Sequence, residues 1–187
     1  MHERCGAIAF MSTLLAKLSD DYKPRLRVAD FVIIFAHVLV GLIFLSFCSL
    51  EIASGSDIKE WISGYYFLMP FALIGLFFRN LRRLKFYLVW VIIGMIQLPI
   101  YYSLKDNQDF QFFRGNAFSG LKALLPALIV FQILRLTFFN LRGQEMIVTM
   151  SKGRITMWEE EEKRNMTWIE VVFSLILMGT IILFDAV

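Results

Sequence analysis

Hydrophobic positions gather into five blocks separated by short polar segments: residues 31–50 (FVIIFAHVLVGLIFLSFCSL), 62–78, 86–104, 118–139 and 166–183. An α-helix rises 1.5 Å per residue, so about twenty apolar residues match a hydrocarbon core roughly 30 Å thick. A helix satisfies its own backbone hydrogen bonds, which is the condition for crossing lipid. The pattern therefore predicts an all-α fold, a polytopic membrane helical bundle of five spans. Residues 30–187 form its single domain and residues 1–29 a tail. In the tail, Phe10, Met11, Leu14, Leu15 and Leu18 share one helical face. That face predicts a short amphipathic helix lying on the membrane surface and ended by Pro24, with a frayed tail as the alternative. Its apolar runs are too short for a signal peptide.

Charge orients the bundle. Fifteen Lys and Arg fall in the tail, in the segment between spans two and three (Arg79, Arg82, Arg83, Lys85), and from Arg135 through the loop at 140–165; only Lys59, Lys105, Arg114 and Lys122 fall on the other side. Short cytoplasmic loops collect Lys and Arg, so the prediction is an inside N-terminus and an outside C-terminus, in a plasma or inner membrane. Trp61, Tyr65, Tyr66, Tyr101, Tyr102, Trp158 and Trp168 lie near span ends and read as interfacial anchors. The composition agrees: 58% hydrophobic and 19% charged residues exceed and undershoot soluble norms. A net charge of +3, sorted in this way, points to anionic headgroups and not to nucleic acid. Arg79, Arg82, Arg83 and Lys85 are the predicted lipid-headgroup contacts. Within the 140–165 loop, Lys152-Gly153 permits either a hairpin turn or a break between two helices. The acidic run at Glu159–Glu162 reads as a solvated face.

Ionisable groups within spans are costly and are the candidates for chemistry. Lys122 and Glu170 lie about one turn from span ends and read as snorkelling or interfacial groups. His37 sits about two turns inside span one, beyond easy reach of headgroups. Gln132 and Arg135 on span four and Gln97 on span three lie at depths that allow one polar cluster with it. Such a cluster acts either as hydrogen-bonded glue between helices or as a proton or ion path, and glue is favoured. Pro70, Pro99 and Pro126 each fall within a predicted span and are candidate kinks.

No catalytic motif is present: no GxSxG, no HExxH and no phosphate-binding glycine loop. Cys5 and Cys48 fall on opposite predicted faces, which rules out a bridge between them, and no cofactor or metal is expected. The expected function is a non-catalytic subunit or scaffold of a membrane complex, with lipid, a protein partner or further copies of itself as partners. The alternatives are an ion channel, a voltage-sensor-like module or a small transporter built on the polar cluster. A sensor helix needs several arginines at three-residue spacing, whereas span four has Arg135 and then Arg142.

Overall fold

The computed structural model describes residues 28–49, 56–112, 115–146, 148 and 167–186. The predicted amphipathic tail helix, the hairpin at Lys152-Gly153 and the acidic run lie outside them. The described residues are helical apart from short connections. In chain order the elements are α1 (Val28–Ser49), α2 (Ser56–Leu76), the single-turn α3 (Phe78–Leu81), α4 (Leu84–Leu104), α5 (Leu124–Arg142) and α6 (Trp168–Ala186). Short 3₁₀ turns occur at Gln108–Phe110 and Ser119–Lys122, and a two-residue antiparallel pairing joins β1 (Gln111–Phe112) to β2 (Gly115–Asn116). Four of the helices, α1, α4, α5 with its preceding turn, and α6, are long and apolar enough to cross a membrane. The helix α2 has the length, 21 residues, but Asp57, Lys59, Glu60, Tyr65, Tyr66 and Pro70 dilute its apolar character.

Each long helix turns one stripe inward. On α4 the buried positions are Phe86, Trp90, Gly94 and Gln97; on α5 they are Leu124, Ala127, Leu128, Phe131, Arg135 and Phe138. On α6 they are Glu170, Ser174, Leu177 and Ile181. Steps of three and four keep such positions on one face of a 3.6-residue helix. The outward stripes, such as Phe31, Phe35, Leu39 and Leu42 on α1 or Leu175 and Ile182 on α6, are apolar and exposed. The surface thus carries apolar side chains where a water-soluble bundle would carry charge.

Two packed clusters result. The larger joins Leu73, Ile74, Phe78, Leu81, Phe86, Trp90, Phe131, Phe138, Leu177 and Ile181 across α2 to α6. The smaller joins Ile62, Tyr66, Phe110, Phe118 and Leu121 where the α4–α5 connection folds over the bundle. Gly120 makes that fold-over possible. A Cβ there would lie 2.5 Å from the carbonyl carbon of Tyr66 and 2.7 Å from its oxygen, so only glycine lets the two backbones approach. Pro70, four residues after Tyr66, withholds the intrahelical donor from that carbonyl.

The sequence expectations change in several places. Span four does not run unbroken from 118: a 3₁₀ turn precedes α5, so Pro126 falls in the first helical turn. There its missing N–H costs nothing, and it is not a kink. Tyr65 and Tyr66 are not interfacial anchors. Tyr66 is buried against Phe118 and Tyr65 hydrogen-bonds within the bundle. Trp61 and Trp168, by contrast, are 76% and 84% exposed. Glu170 is fully buried, and its Oε2 accepts from the backbone N–H and hydroxyl of Thr167. This is the Thr-x-x-Glu capping box that starts α6.

Candidate functional site

The four predicted cluster residues fall into two groups at different heights. The first is centred on His37. Asp30, Ile33, Ile34, His37, Gly41 and Phe44 share the face of α1 that meets the bundle. His37 is buried, and both ring nitrogens are engaged. The amide of Gln97 on α4 donates to Nε2 at 2.8 Å, which places the ring proton on Nδ1, from where it is donated to the Tyr65 hydroxyl on α2 at 2.7 Å. The imidazole also stacks on Tyr65 at 5.8 Å between centroids and meets Trp90 at 5.0 Å. One side chain thereby ties α1 to both α2 and α4. Trp90 is itself fully buried, and its indole N–H finds no hydrogen-bond partner among the described residues.

The second group lies at the end of the bundle that carries α3, here termed the basic end. Gly143 adopts a left-handed conformation (φ 65°) and terminates α5, so the chain folds back beneath the helices. The returning strap places Met146 and Val148 in the core and brings Glu145 to Arg135. Arg135 Nε donates to Glu145 Oε2 at 2.9 Å and Nη2 to Oε1 at 3.0 Å, a two-pronged guanidinium–carboxylate pair. Its remaining Nη1 donates to the Arg82 carbonyl at 3.0 Å. Arg82 lies 4.0 Å from the same carboxylate, donates to the Met146 carbonyl, and sits over the Phe78 ring at 5.3 Å. Beside it Arg83 pairs at 3.2 Å with Asp30, whose side chain is fully buried at the start of α1. Among the described residues this end gathers Arg79, Arg82, Arg83, Lys85, Arg135 and Arg142 against Asp30 and Glu145.

Gln97 lies fourteen residues beyond Arg83 on α4, a rise of about 21 Å, so the His37–Gln97 pair and the arginine group are separate sites. Gln132 stays near Arg135: it lines a crevice with Leu81, Arg82, Leu84, Tyr87 and Arg135, and its Oε1 is buried without a hydrogen-bond partner among the described residues. Of the four predicted headgroup contacts, Arg82 and Arg83 turn toward carboxylates, Arg79 lies over the Phe78 ring at 6.0 Å, and Lys85 is exposed. At the opposite end, Lys122 donates to the Tyr101 hydroxyl at 3.4 Å and lies over its ring, and Ser119 donates to Asp185.

Sequence reasoning did not find Tyr65, Trp90, Asp30 or Glu145 as members of these groups. Asp30 in the first turn of a helix and the Thr167-x-x-Glu170 spacing were readable signals. Nothing local marks Tyr65, whose partner comes from another helix, or Glu145, which meets Arg135 only because the chain turns back at Gly143. Among the described residues no group of three or more His, Cys, Asp or Glu side chains is placed to hold a metal ion. No protein-family model, no curated protein and no solved structure matches the chain.

Proposed function

We propose that this chain is a non-catalytic, five-pass membrane protein that serves as a subunit or scaffold of a membrane complex. In this reading α2 is the fifth crossing, shielded by its more apolar neighbours, and the basic end faces the cytoplasm in a plasma or inner membrane. The N-terminus is inside and the C-terminus outside. Alternation of α1, α2, α4, α5 and α6 supports this: it collects Arg79, Arg82, Arg83, Lys85, Arg135 and Arg142 at one end and leaves Lys59, Lys105 and Lys122 at the other.

The observation that carries the non-catalytic reading is how the buried polar groups are used. His37 spends both nitrogens on neighbouring helices, Asp30 faces Arg83, and Arg135 is gripped by Glu145. Groups bonded to one another across helices fix a packing arrangement, as hydrogen bonds between membrane helices do. The competing idea, an ion or substrate path through His37, Gln97, Gln132 and Arg135, requires a continuous polar file. The separation of the two groups argues against that file.

The test is reconstitution of purified protein in liposomes with ion-flux and single-channel recording, paired with gentle-detergent co-purification. Absence of conductance together with a defined co-purifying membrane protein is the expected result. Conductance abolished by His37→Ala would overturn it. Protease and tag mapping in intact cells tests the topology, which requires the two termini in different compartments.

A further inference from the structure

We propose that the outward surface of this protein is an apolar belt about 26 Å tall, matched to a bilayer of short-chain, sterol-poor phospholipid and too short for one thickened by sterol and sphingolipid. The inference rests on the membrane reading above and deepens it by naming the lipid. On α4 the exposed apolar positions Leu88, Ile92, Met95 and Ile96 are bounded by the exposed Lys85 at the basic end and by the exposed Tyr102 at the other. On α6 the exposed apolar run from Val172 to Phe184 is bounded by the exposed Trp168 and by Asp185. In each helix the two boundaries are seventeen residues apart, a rise of about 26 Å. On α2 the exposed Trp61 and Leu76 are fifteen residues apart, a rise of about 23 Å, and Arg79 follows at the basic end.

Contacts between helices hold these boundaries level. Away from the basic end, Ser119 donates to Asp185 at 2.9 Å, and Lys122 in the same 3₁₀ turn donates to the Tyr101 hydroxyl at 3.4 Å, so α4, the turn and α6 reach one plane. Lys105 lies over the Tyr102 ring at 5.3 Å, a cation and an aromatic face together, as suits the headgroup layer. At the basic end Arg83 pairs with Asp30 and Arg135 donates to the Arg82 carbonyl, which ties α1 and α5 to the start of α4. Two planes fixed in this way bound a slab, and tilt only lowers it. A helix inclined by about 20° projects its 26 Å as about 24 Å along the bilayer normal. A thin cellular bilayer has a hydrocarbon core of about 27 Å and a sterol- and sphingolipid-rich one about 32 Å. The first meets the belt at both planes. The second draws the boundary groups into hydrocarbon, where Lys85 can snorkel outward but the short side chain of Asp185 cannot.

The experiment reconstitutes the full chain in vesicles of dimyristoleoyl-, dipalmitoleoyl-, dioleoyl- or dierucoyl-phosphatidylcholine, a series of rising thickness. Relative lipid affinity is read from tryptophan quenching in mixtures of each lipid with brominated dioleoyl-phosphatidylcholine. Affinity should be greatest for the myristoleoyl or palmitoleoyl lipid and fall about threefold for the dierucoyl lipid. Lys85→Leu combined with Lys105→Leu lengthens the apolar stripe of α4 at both ends and should move the maximum toward longer chains. Equal affinity across the series, or a maximum at dierucoyl chains, overturns the belt. A maximum that the double variant leaves unmoved or shifts to shorter chains overturns its boundaries on α4. Alkaline carbonate extraction of native membranes, run alongside, separates these failures from failure of the membrane reading itself, since only the latter releases the chain.

Discussion

The His37 junction gives the most direct measurement of what holds α1 in place. Replacing His37 with leucine keeps most of the volume but removes the bonds to Gln97 and Tyr65. Interhelical hydrogen bonds in membrane bundles contribute about 0.6 to 2 kcal/mol each, so losing two costs about 1 to 4 kcal/mol. The Gln97 amide and Tyr65 hydroxyl then stay buried without this partner, which moves the expectation to the upper part of that range. Gln97→Leu removes one bond and should cost about 1 kcal/mol. Since the two single variants lose the same His37–Gln97 bond, the double variant should fall short of additivity by about 1 kcal/mol. The assay is reversible unfolding in mixed lipid–detergent micelles, titrated with a denaturing detergent and followed by circular dichroism. Additivity within about 0.3 kcal/mol would show that the two side chains do not interact, and the junction would have to be abandoned.

Other substitutions probe the remaining contacts. Gly120→Ala drives a methyl group into the Tyr66–Phe67 backbone, where no side chain can move aside, and should destabilise by more than about 3 kcal/mol in the same unfolding assay. Thr167→Ala opens the capping box on α6 and should cost about 1 kcal/mol, whereas Thr167→Ser should be close to neutral. Asp30→Asn leaves Arg83 beside a neutral group and should cost about 2 to 3 kcal/mol, below the value for a wholly buried pair because Arg83 is partly exposed. Replacing Asp30 and Arg83 together with leucine should recover most of that loss, and a double variant as unstable as Asp30→Asn would count against the pairing.

Much of the helical layout was legible because its signal is local. Blocks at 31–50, 86–104 and 166–183 became α1, α4 and α6 with ends shifted by a few residues, since a long apolar run in regular backbone has few other solutions. Tyr65 and Tyr66 misled for the opposite reason. Position near a span end is one-dimensional, and whether a tyrosine meets headgroups or a histidine depends on which helix stands opposite. The polar cluster failed as a unit on the same ground. Depth counted along the chain did not predict height in the bundle: Gln97 sits with His37, whereas Arg135 lies at the basic end and pairs with Glu145 on the strap.

Composition and periodicity alone predicted a helical bundle with five apolar blocks, of which four form helices long and apolar enough to cross a bilayer among the described residues, and showed that cations concentrate in alternate connections. Those properties follow from backbone hydrogen bonding and side-chain transfer energies, which act residue by residue. Only the tertiary structure decided that His37 joins three helices, that Glu145 caps Arg135, and that Gly120 lets two backbones touch. The first and last depend on atoms brought within a few ångströms from distant parts of the sequence, and the second on the turn at Gly143 that folds the strap back onto α5. Hydrogen bonds and steric overlap act only over a few ångströms, so local periodicity does not reveal which residues they join.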